Sequence, residues 1–176
     1  GETNKDLPFR IVSTDSRETS AETLFVAIDG AKVDGHNYIG AALSSGSECI
    51  LCERIPDVLT DRKYVAVVVE DSLRAVGELA KAYDRRTSHR KVAITGSVGK
   101  TTTREMITAA VSAGMKCFHT EGNYNSVYGE PITVSRMTDE YDVAVLELGI
   151  GEPGEMDILT DIAQPDICVI TTIGVA

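Results

Sequence analysis

A strand pattern, a glycine-rich turn and the start of a helix follow one another in KVAITGSVGKTTTREM, residues 91–106. Residues 91–95 predict a buried strand, and the glycines of the turn let the backbone curl so that successive N–H groups face an anion. The helix that begins near Gly99 adds the positive end of its dipole at the same place. Lys100 and Thr101 then supply an ammonium for terminal phosphates and a hydroxyl for a magnesium ion. This stretch therefore predicts a phosphate-binding loop.

The loop has the short form G-x-x-G-K-T, because Ile94 stands where the longer Walker pattern places its first glycine. This difference makes ordinary GTPases and most small-molecule kinases less favoured interpretations. A plain glycine turn between a strand and a helix is the alternative, although such a turn would not require Lys and Thr at its end. We predict that seven residues bind ATP: Gly96, Ser97, Val98, Gly99, Lys100, Thr101 and Thr102.

A carboxylate closes the apolar run VAVLE, residues 143–147. Phosphate-binding loops of ATPases work with an acid at the end of a neighbouring strand, which holds the magnesium ion directly or through water. A charge at the end of a buried strand is costly without a partner. We therefore predict that Thr101 and Glu147 hold Mg²⁺ and that Lys100 and Glu147 are catalytic. A solvated carboxylate at a strand end is the alternative interpretation.

Apolar runs alternate with helical patterns along the whole chain, which predicts the α/β class. Residues 1–88 are expected to form a small N-terminal α/β domain. Residues 89–176 are expected to form the first part of an ATP-binding domain with a mostly parallel P-loop sheet. A truncated chain is expected, because a sheet of only four parallel strands leaves an edge unprotected.

The apolar runs and helical spacings place the individual elements. The predicted strands lie at residues 9–12, 24–28, 49–52, 65–69, 91–95, 115–119, 143–148 and 167–172. The predicted helices lie at residues 37–43 and 73–83, from the glycine loop to about 113, between the strands at 115–119 and 143–148, and at 157–163. Asp71 or Ser72 is expected to cap the second of these helices. The buried face of the loop helix is predicted to contain Ile107, Ala110 and Val111.

The chain has 176 residues, of which 43% are hydrophobic, and a net charge of −10. This composition is sufficient for packed cores and excludes disorder for the bulk of the chain. From Glu121 onward eleven acidic residues face one basic residue, Arg136, so nucleic acid is not an expected partner. The apolar run at 64–69 is far shorter than the roughly 18 residues of a membrane span, and residues 1–10 lack a signal-peptide core. We expect a soluble, cytoplasmic, monomeric protein without membrane insertion.

Four cysteines are too few and too scattered to cross-link a chain of this length. Cys49 and Cys52 form a C-x-x-C pattern, but both lie in a predicted strand, where residues three apart point to opposite faces. The pattern therefore favours buried structural thiols over a zinc or redox site.

Further short motifs occur in a fixed order along the chain. They are DSR at 15–17, LFVA at 24–27, DGH at 34–36, TEGNYN at 120–125, ELG at 147–149, PGE at 153–155 and IG at 173–174. Together with the glycine loop, their order and spacing resemble the N-terminal domain and part of the central domain of the Mur ligases of peptidoglycan synthesis, most closely the MurF type.

The resemblance implies an ATP-dependent amide-forming ligase that uses Mg²⁺ and proceeds through an acyl phosphate. It implies two small-molecule substrates, UDP-MurNAc-tripeptide and D-Ala-D-Ala. Asn123 and Asn125 match a loop near the metal and substrate, and a role as turn formers is the alternative. The resemblance implies that the domain of residues 1–88 binds the UDP-sugar, and Ser16, Arg17 and His36 match the part that holds its UDP end. Pairing of Arg17 with Asp15 or Asp34 and a structural His36 are the alternatives.

The chain departs from the family pattern at two places. Ser126 stands where the family doubles an asparagine, and Glu130 replaces the valine of a Gly-Val-Pro. The chain also ends before the histidine, the carbamylated lysine and the C-terminal domain of the family, so we expect this fragment to be inactive by itself. A MurE-type ligase, a relative of folylpolyglutamate synthetase and a non-catalytic nucleotide-binding module are the alternative functions.

Overall fold

The computed structural model of the protein describes residues 9–30, 33–54 and 63–174. Contacts divide the chain into two units, Gly1–Val76 and Gly77–Ala176. This division falls inside the helix Ser72–Asp84, and the boundary expected after residue 88 stays a prediction. Both units combine parallel strands with helices, which confirms the predicted α/β class. Within the described ranges, no helix has both the length and the apolar character needed to cross a bilayer.

The first unit contains a four-stranded parallel sheet whose strands follow one another in chain order. Its strands are β1 (Ile11–Ser13), β2 (Thr23–Val26), β3 (Cys49–Cys52) and β4 (Val65–Val68). Its helices are two 3-10 helices, Ser16–Glu18 and Gly35–Tyr38, together with α1 (Ile39–Ser45) and the start of α2 (Ser72–Asp84).

The core of the first unit forms where α1 covers the middle of the sheet. Phe25 of β2 and Ile50 of β3 are partners in register and are fully buried. Ile39 and Leu43, four residues apart on α1, pack against them in the same cluster. The helix ends at Gly46, whose φ of +118° is the left-handed conformation that glycine adopts without strain.

The second unit contains a parallel sheet in the order β6-β7-β5-β8, which differs from the chain order. Its strands are β5 (Arg90–Thr95), β6 (Cys117–His119), β7 (Val143–Glu147) and β8 (Ile167–Ile170). Its helices, after the end of α2, are α3 (Lys100–Ser112), α4 (Glu130–Ser135) and α5 (Glu155–Ala163).

The register of the second sheet brings the glycine loop and Glu147 to one edge. Strands β5 and β7 are central neighbours, and Ile94 pairs with Glu147. Since parallel strands point the same way, the loop that follows β5 and the carboxylate that ends β7 lie at the same carboxyl edge. This is the edge at which open α/β sheets bind ligands.

The predicted elements exist, and several of their ends differ for a physical reason. Strand β8 stops at Ile170 rather than 172, because Thr172 leaves the parallel ladder for an isolated antiparallel bridge with Val98 of the glycine loop. The helix predicted at 37–43 begins as a 3-10 helix, because the Asp34 carboxylate accepts the His36 N–H and fixes a tight first turn. Of the two cap candidates for α2, Asp71 accepts the Arg74 N–H at 2.8 Å.

The buried side of α3 differs from the prediction. Ile107 and Val111 are half-buried, but Ala110 is exposed, so its predicted place on the buried face is wrong. The buried face of α3 instead begins at Arg104, which is 5% exposed and lies one turn before Ile107. A sequence pattern based on apolar residues passes over this arginine.

Helix α4 carries a carboxylic acid into the core of the second unit. Glu130 has no exposed surface, and neither carboxyl oxygen has a hydrogen-bond partner among the described residues. Burial raises the pKa of Glu130 well above its ordinary value of 4.5. The folded chain therefore binds a proton at Glu130 over a pH range in which the unfolded chain has released it.

We predict that Glu130→Gln removes a pH-dependent loss of stability. Because the pKa of Glu130 is raised, its contribution to the free energy of unfolding of the wild type is largest below about pH 4.5. This contribution falls as pH rises towards the folded-state pKa. The loss amounts to about 1.4 kcal/mol per pH unit. Urea unfolding at pH 5, 6 and 7 should give free energies of unfolding that fall more steeply in the wild type than in the variant.

Glu140→Gln is the matched control, because Glu140 is an exposed carboxylate of the same unit. Its pH profile should run parallel to that of the wild type. Parallel profiles for Glu130→Gln as well would contradict a proton held in the core at Glu130.

Candidate active site

The glycine loop has the backbone conformation that its two glycines allow. Gly96 and Gly99 have φ values of +133° and +91°, in the region that other residues rarely adopt. At Gly96 there is also no room for a side chain, since an added Cβ would lie 2.2 Å from Thr171 Oγ1. Glycine is therefore required at this position for both its conformation and its size.

Residues 171–174 hold the loop from one side. The Thr171 hydroxyl donates to the Val98 carbonyl at 2.7 Å, and the Ser97 N–H donates to the Thr172 carbonyl at 2.7 Å. The Ser97 hydroxyl donates to the Gly174 carbonyl at 2.9 Å. The expectation that successive loop amides all face an anion is therefore wrong for Ser97, whose N–H bonds to the chain itself.

Lys100 and the first amides of α3 lie at the other side of the loop. The Lys100 ammonium donates to the Gly96 carbonyl at 2.6 Å, so it folds over its own loop. The first helical hydrogen bond runs from the Thr103 N–H to the Gly99 carbonyl at 2.9 Å. The amides of residues 100–102 therefore lie at the N-terminus of the helix without an intrahelical acceptor, as an anion site requires.

Thr101 and Glu147 are in direct contact. The Thr101 hydroxyl donates to Glu147 Oε2 at 3.0 Å, and Glu147 is 3% exposed. Asn125 Nδ2 donates to the other carboxylate oxygen at 2.9 Å. The backbone of Glu147 is fixed as well, because its N–H donates to Thr120 Oγ1 at 3.0 Å. The start of α3 and the stretch 120–125 thus converge on Glu147 at the end of β7.

Arg104 is a part of this site that sequence reasoning missed. Its Nη1 donates to Glu147 Oε2 at 3.3 Å, and its Nη2 donates to Glu105 Oε1 at 2.5 Å. The guanidinium holds the pKa of Glu105 below its ordinary value. The available signal was the helical spacing, since Thr101 and Arg104 are three residues apart and share a face of α3.

Only one of the two predicted asparagines reaches the carboxylate. Asn123 is exposed in the turn beside Gly122, and the structure does not place it on Glu147. The backbone of Asn125 is fixed as well, because its backbone carbonyl accepts the Gly149 N–H at 2.8 Å. A Cβ at Gly149 would lie 3.1 Å from the Asn125 side chain, so the glycine of ELG lets the asparagine approach.

In the first unit, Arg17 pairs with its neighbour. Arg17 Nε and Nη2 donate to the Asp15 carboxylate at 2.9 and 2.5 Å, and the Arg17 N–H also donates to it. These bonds lower the pKa of Asp15 to about 2. Of the alternatives that the sequence left open, the structure shows the Asp15 pair. Ser16 is buried between these residues, at 8% exposure.

Both ring nitrogens of His36 are used inside the first unit. Nδ1 lies 2.7 Å from Asp34 Oδ1, and Nε2 accepts the Glu53 N–H at 3.0 Å. The Asp34 carboxylate also bonds to Arg54. Hydrogen bonds from the His36 backbone, and then from its ring and Arg54, lower the pKa of Asp34 to about 2. His36 thus connects the Asp34 turn to the residue that follows β3, and both of its ring nitrogens are occupied by these bonds.

The second unit thus joins groups suited to an anion and groups suited to a cation at one sheet edge. The start of α3 supplies amides and the Lys100 ammonium for an anion. Thr101 and Glu147 supply a hydroxyl and a carboxylate, which are oxygen ligands that suit a hard divalent cation. A polyphosphate with its counter-ion is the class of ligand that uses both.

Two family models match the chain on either side of α2's end. They are the Mur ligase family catalytic domain over residues 8–84 and the Mur ligase middle domain over residues 94–176. The chain belongs to the Mur ligase family, as its motifs suggested.

Several relatives that are 32–38% identical to this chain are named as MurF ligases. The UDP-N-acetylmuramoyl-tripeptide D-alanyl-D-alanine ligase of Bacillus subtilis is 38% identical over 93% of this chain and 35% of its own length. MurF from Acinetobacter baumannii matches with a TM-score of 0.84 and 32% identity, over 94% of this chain and 36% of that one. MurF ligase from Thermotoga maritima, solved with ADP, matches with a TM-score of 0.83 and 35% identity, over 98% and 39%. The predicted MurF type is thereby confirmed.

The chain spans little more than a third of the length of these relatives. The activity of a whole ligase is therefore a proposal for this chain.

We predict that Gly96→Ala destabilises the second unit by at least about 2 kcal/mol. The new methyl group would collide with Thr171 Oγ1, in a backbone conformation that alanine rarely adopts. Gly114→Ala is the matched control, since a Cβ there meets nothing within 4 Å. Urea unfolding should show a clear loss for the first variant and little change for the second; equal effects would contradict the tight packing of the loop.

Proposed function

We propose that the second unit binds ATP and that the protein is a MurF-type ligase, which joins D-Ala-D-Ala to UDP-MurNAc-tripeptide. The observation that carries the proposal is the contact of Thr101 with the buried Glu147 at the end of a glycine loop. A strand-to-helix turn without a ligand has no need of a buried carboxylate aimed at its first helical hydroxyl. The MurF names of the relatives and the ADP bound by one of them support the same proposal.

The polyphosphate of ATP would lie against the N-terminus of α3. Its oxygens would accept hydrogen bonds from the amides of residues 100–102, and the Lys100 ammonium would leave the Gly96 carbonyl to bind them. The exchange replaces a neutral acceptor by a negatively charged one, so the ammonium gains an ion pair in addition to the hydrogen bond. Gly96, Ser97, Val98, Gly99 and Thr102 would form the walls of the same loop.

The residues at the loop fit Mg²⁺, because a hydroxyl and a carboxylate already lie in contact there. Thr101 and Glu147 would hold the ion, while Asn125 keeps the carboxylate oriented through its other oxygen. Bound Mg²⁺ would neutralise charge on the phosphates during transfer.

The proposed reaction has two steps. A carboxylate oxygen of the UDP-linked tripeptide attacks the γ-phosphorus, the bond to ADP breaks, and an acyl phosphate forms. The amine of D-Ala-D-Ala then attacks the acyl carbon, phosphate leaves, and the nitrogen loses a proton. The described residues contribute by positioning and by charge, with Lys100 at the transferred phosphate. Asn123, exposed in the next turn, is proposed to contact substrate rather than metal.

The first unit is proposed to hold the UDP end of the substrate. The Asp15 and Arg17 pair fixes the turn that contains Ser16, whose hydroxyl is the proposed donor to uracil or ribose. Arg17 remains largely exposed, so it can approach a pyrophosphate while it stays paired with Asp15. His36 supports this unit through Asp34 and Glu53 rather than by contact with the ligand.

We predict that Lys100→Ala weakens the binding of ATP by about tenfold or more, which corresponds to the loss of one charge-assisted contact of about 1.5 to 3 kcal/mol. Calorimetric titration of the complete natural chain with a non-hydrolysable ATP analogue would measure the change. Lys116→Ala is the matched control, since Lys116 is exposed and lies beyond the far end of α3. Equal affinities for wild type and Lys100→Ala would contradict the proposed loop.

We predict that the complete natural protein releases phosphate from ATP only when UDP-MurNAc-tripeptide and D-Ala-D-Ala are both present. A coupled phosphate assay with each substrate left out in turn is the measurement. Release driven by another acceptor would indicate a MurE-type or folylpolyglutamate-synthetase-like ligase. ATP binding without release under any of these conditions would indicate a nucleotide-binding module.

A further inference from the structure

Arg104 is buried beside the proposed metal carboxylate. Its side chain is 6% exposed and that of Glu147 is 4% exposed. Within the ranges that the structure describes, Arg104 is the only cationic side chain within 4 Å of the Glu147 carboxylate. Lys100, the other cation of the loop, bonds instead to the Gly96 carbonyl. The charge balance at Glu147 therefore depends on Arg104.

The remaining partners of Glu147 are neutral. Thr101 and Asn125 donate hydrogen bonds to the carboxylate but carry no charge. Burial of an ion without an opposite charge is strongly unfavourable, whereas removal of one member of a buried pair leaves the other uncompensated. Arg104 thus supplies the opposite charge beside the buried Glu147 carboxylate.

The hydrogen bonds at Glu147 leave little free acceptor capacity. Oε2 accepts from both Thr101 and Arg104, and Oε1 accepts from Asn125. An ionised carboxylate offers about four acceptor sites. A divalent cation would therefore use the remaining site or replace one of these donors. Unless it replaces Arg104 itself, it would share the carboxylate with a guanidinium of the same charge sign, and the repulsion is large in a buried site.

We infer that Arg104 is a positioning residue that serves as the resident counter-ion of Glu147. It holds the carboxylate aimed at Thr101 before the metal arrives, and it weakens the binding of the divalent cation that the carboxylate later shares. This inference rests on the proposed function of Thr101 and Glu147.

The first experiment measures thermal unfolding of the complete natural chain without metal, for Arg104→Met, Glu147→Gln and the double variant. Each single variant leaves one buried partner without its counterpart and should lower the melting temperature. The double variant removes both charges, so it should be more stable than Arg104→Met alone. Additive losses in the double variant would overturn the inference that Arg104 compensates Glu147.

The second experiment measures Mn²⁺ affinity in the presence of a non-hydrolysable ATP analogue, from the electron paramagnetic resonance signal of free Mn²⁺. Arg104→Met should bind Mn²⁺ more tightly than wild type, by on the order of tenfold, because the repelling charge is gone. Arg104→Lys retains the charge and should stay close to wild type, which also covers the case in which the methionine variant fails to fold. Arg90→Met is the matched control, since Arg90 is 77% exposed at the start of β5.

The two experiments separate the inference from the proposed function. Mn²⁺ binding that is lost in Glu147→Gln but unchanged or weaker in Arg104→Met would overturn the role of Arg104 and leave the nucleotide site intact. Mn²⁺ binding with the analogue that does not respond to Glu147→Gln would overturn the proposed metal site, and the inference with it.

Discussion

Burial of the Glu147 carboxylate is the constraint on which the second unit depends. A charge at 3% exposure must be matched by donors from the same fold, and these donors come from two segments, α3 and the loop that contains Asn125. Thr101 and Arg104 fix α3 against β7, and Asn125 fixes the loop that follows β6. The parallel register, in which Ile94 pairs with Glu147, is what brings these segments to the same place.

The centre of this arrangement could be predicted from the sequence. A strand, a glycine loop and Lys100-Thr101 define a phosphate site by local chemistry, and an acid that ends an apolar strand can be recognised without coordinates. Parallel strands then bring both to one edge. The contact between Thr101 and Glu147 follows from those two local patterns, which is why the predicted pair is found together.

The parts that sequence reasoning missed involve groups whose partners are distant in the chain. Thr171 was predicted as a strand residue, yet its hydroxyl donates to the carbonyl of Val98, which lies 73 residues earlier in the chain. Arg104 was overlooked because a helix face is predicted from apolar residues, and a buried arginine is stable only with its carboxylate in place. In the first unit, the sequence left the partner of Arg17 open, and only coordinates select Asp15.

The bonds between the glycine loop and residues 171–174 have a mechanical consequence. The Ser97 N–H and hydroxyl and the Val98 carbonyl all bond to the segment that leaves β8. Any change in the shape of the loop must therefore stretch these bonds or move residues 171–174 with it. The conformation of the loop and the path of the chain after β8 are in this way coupled.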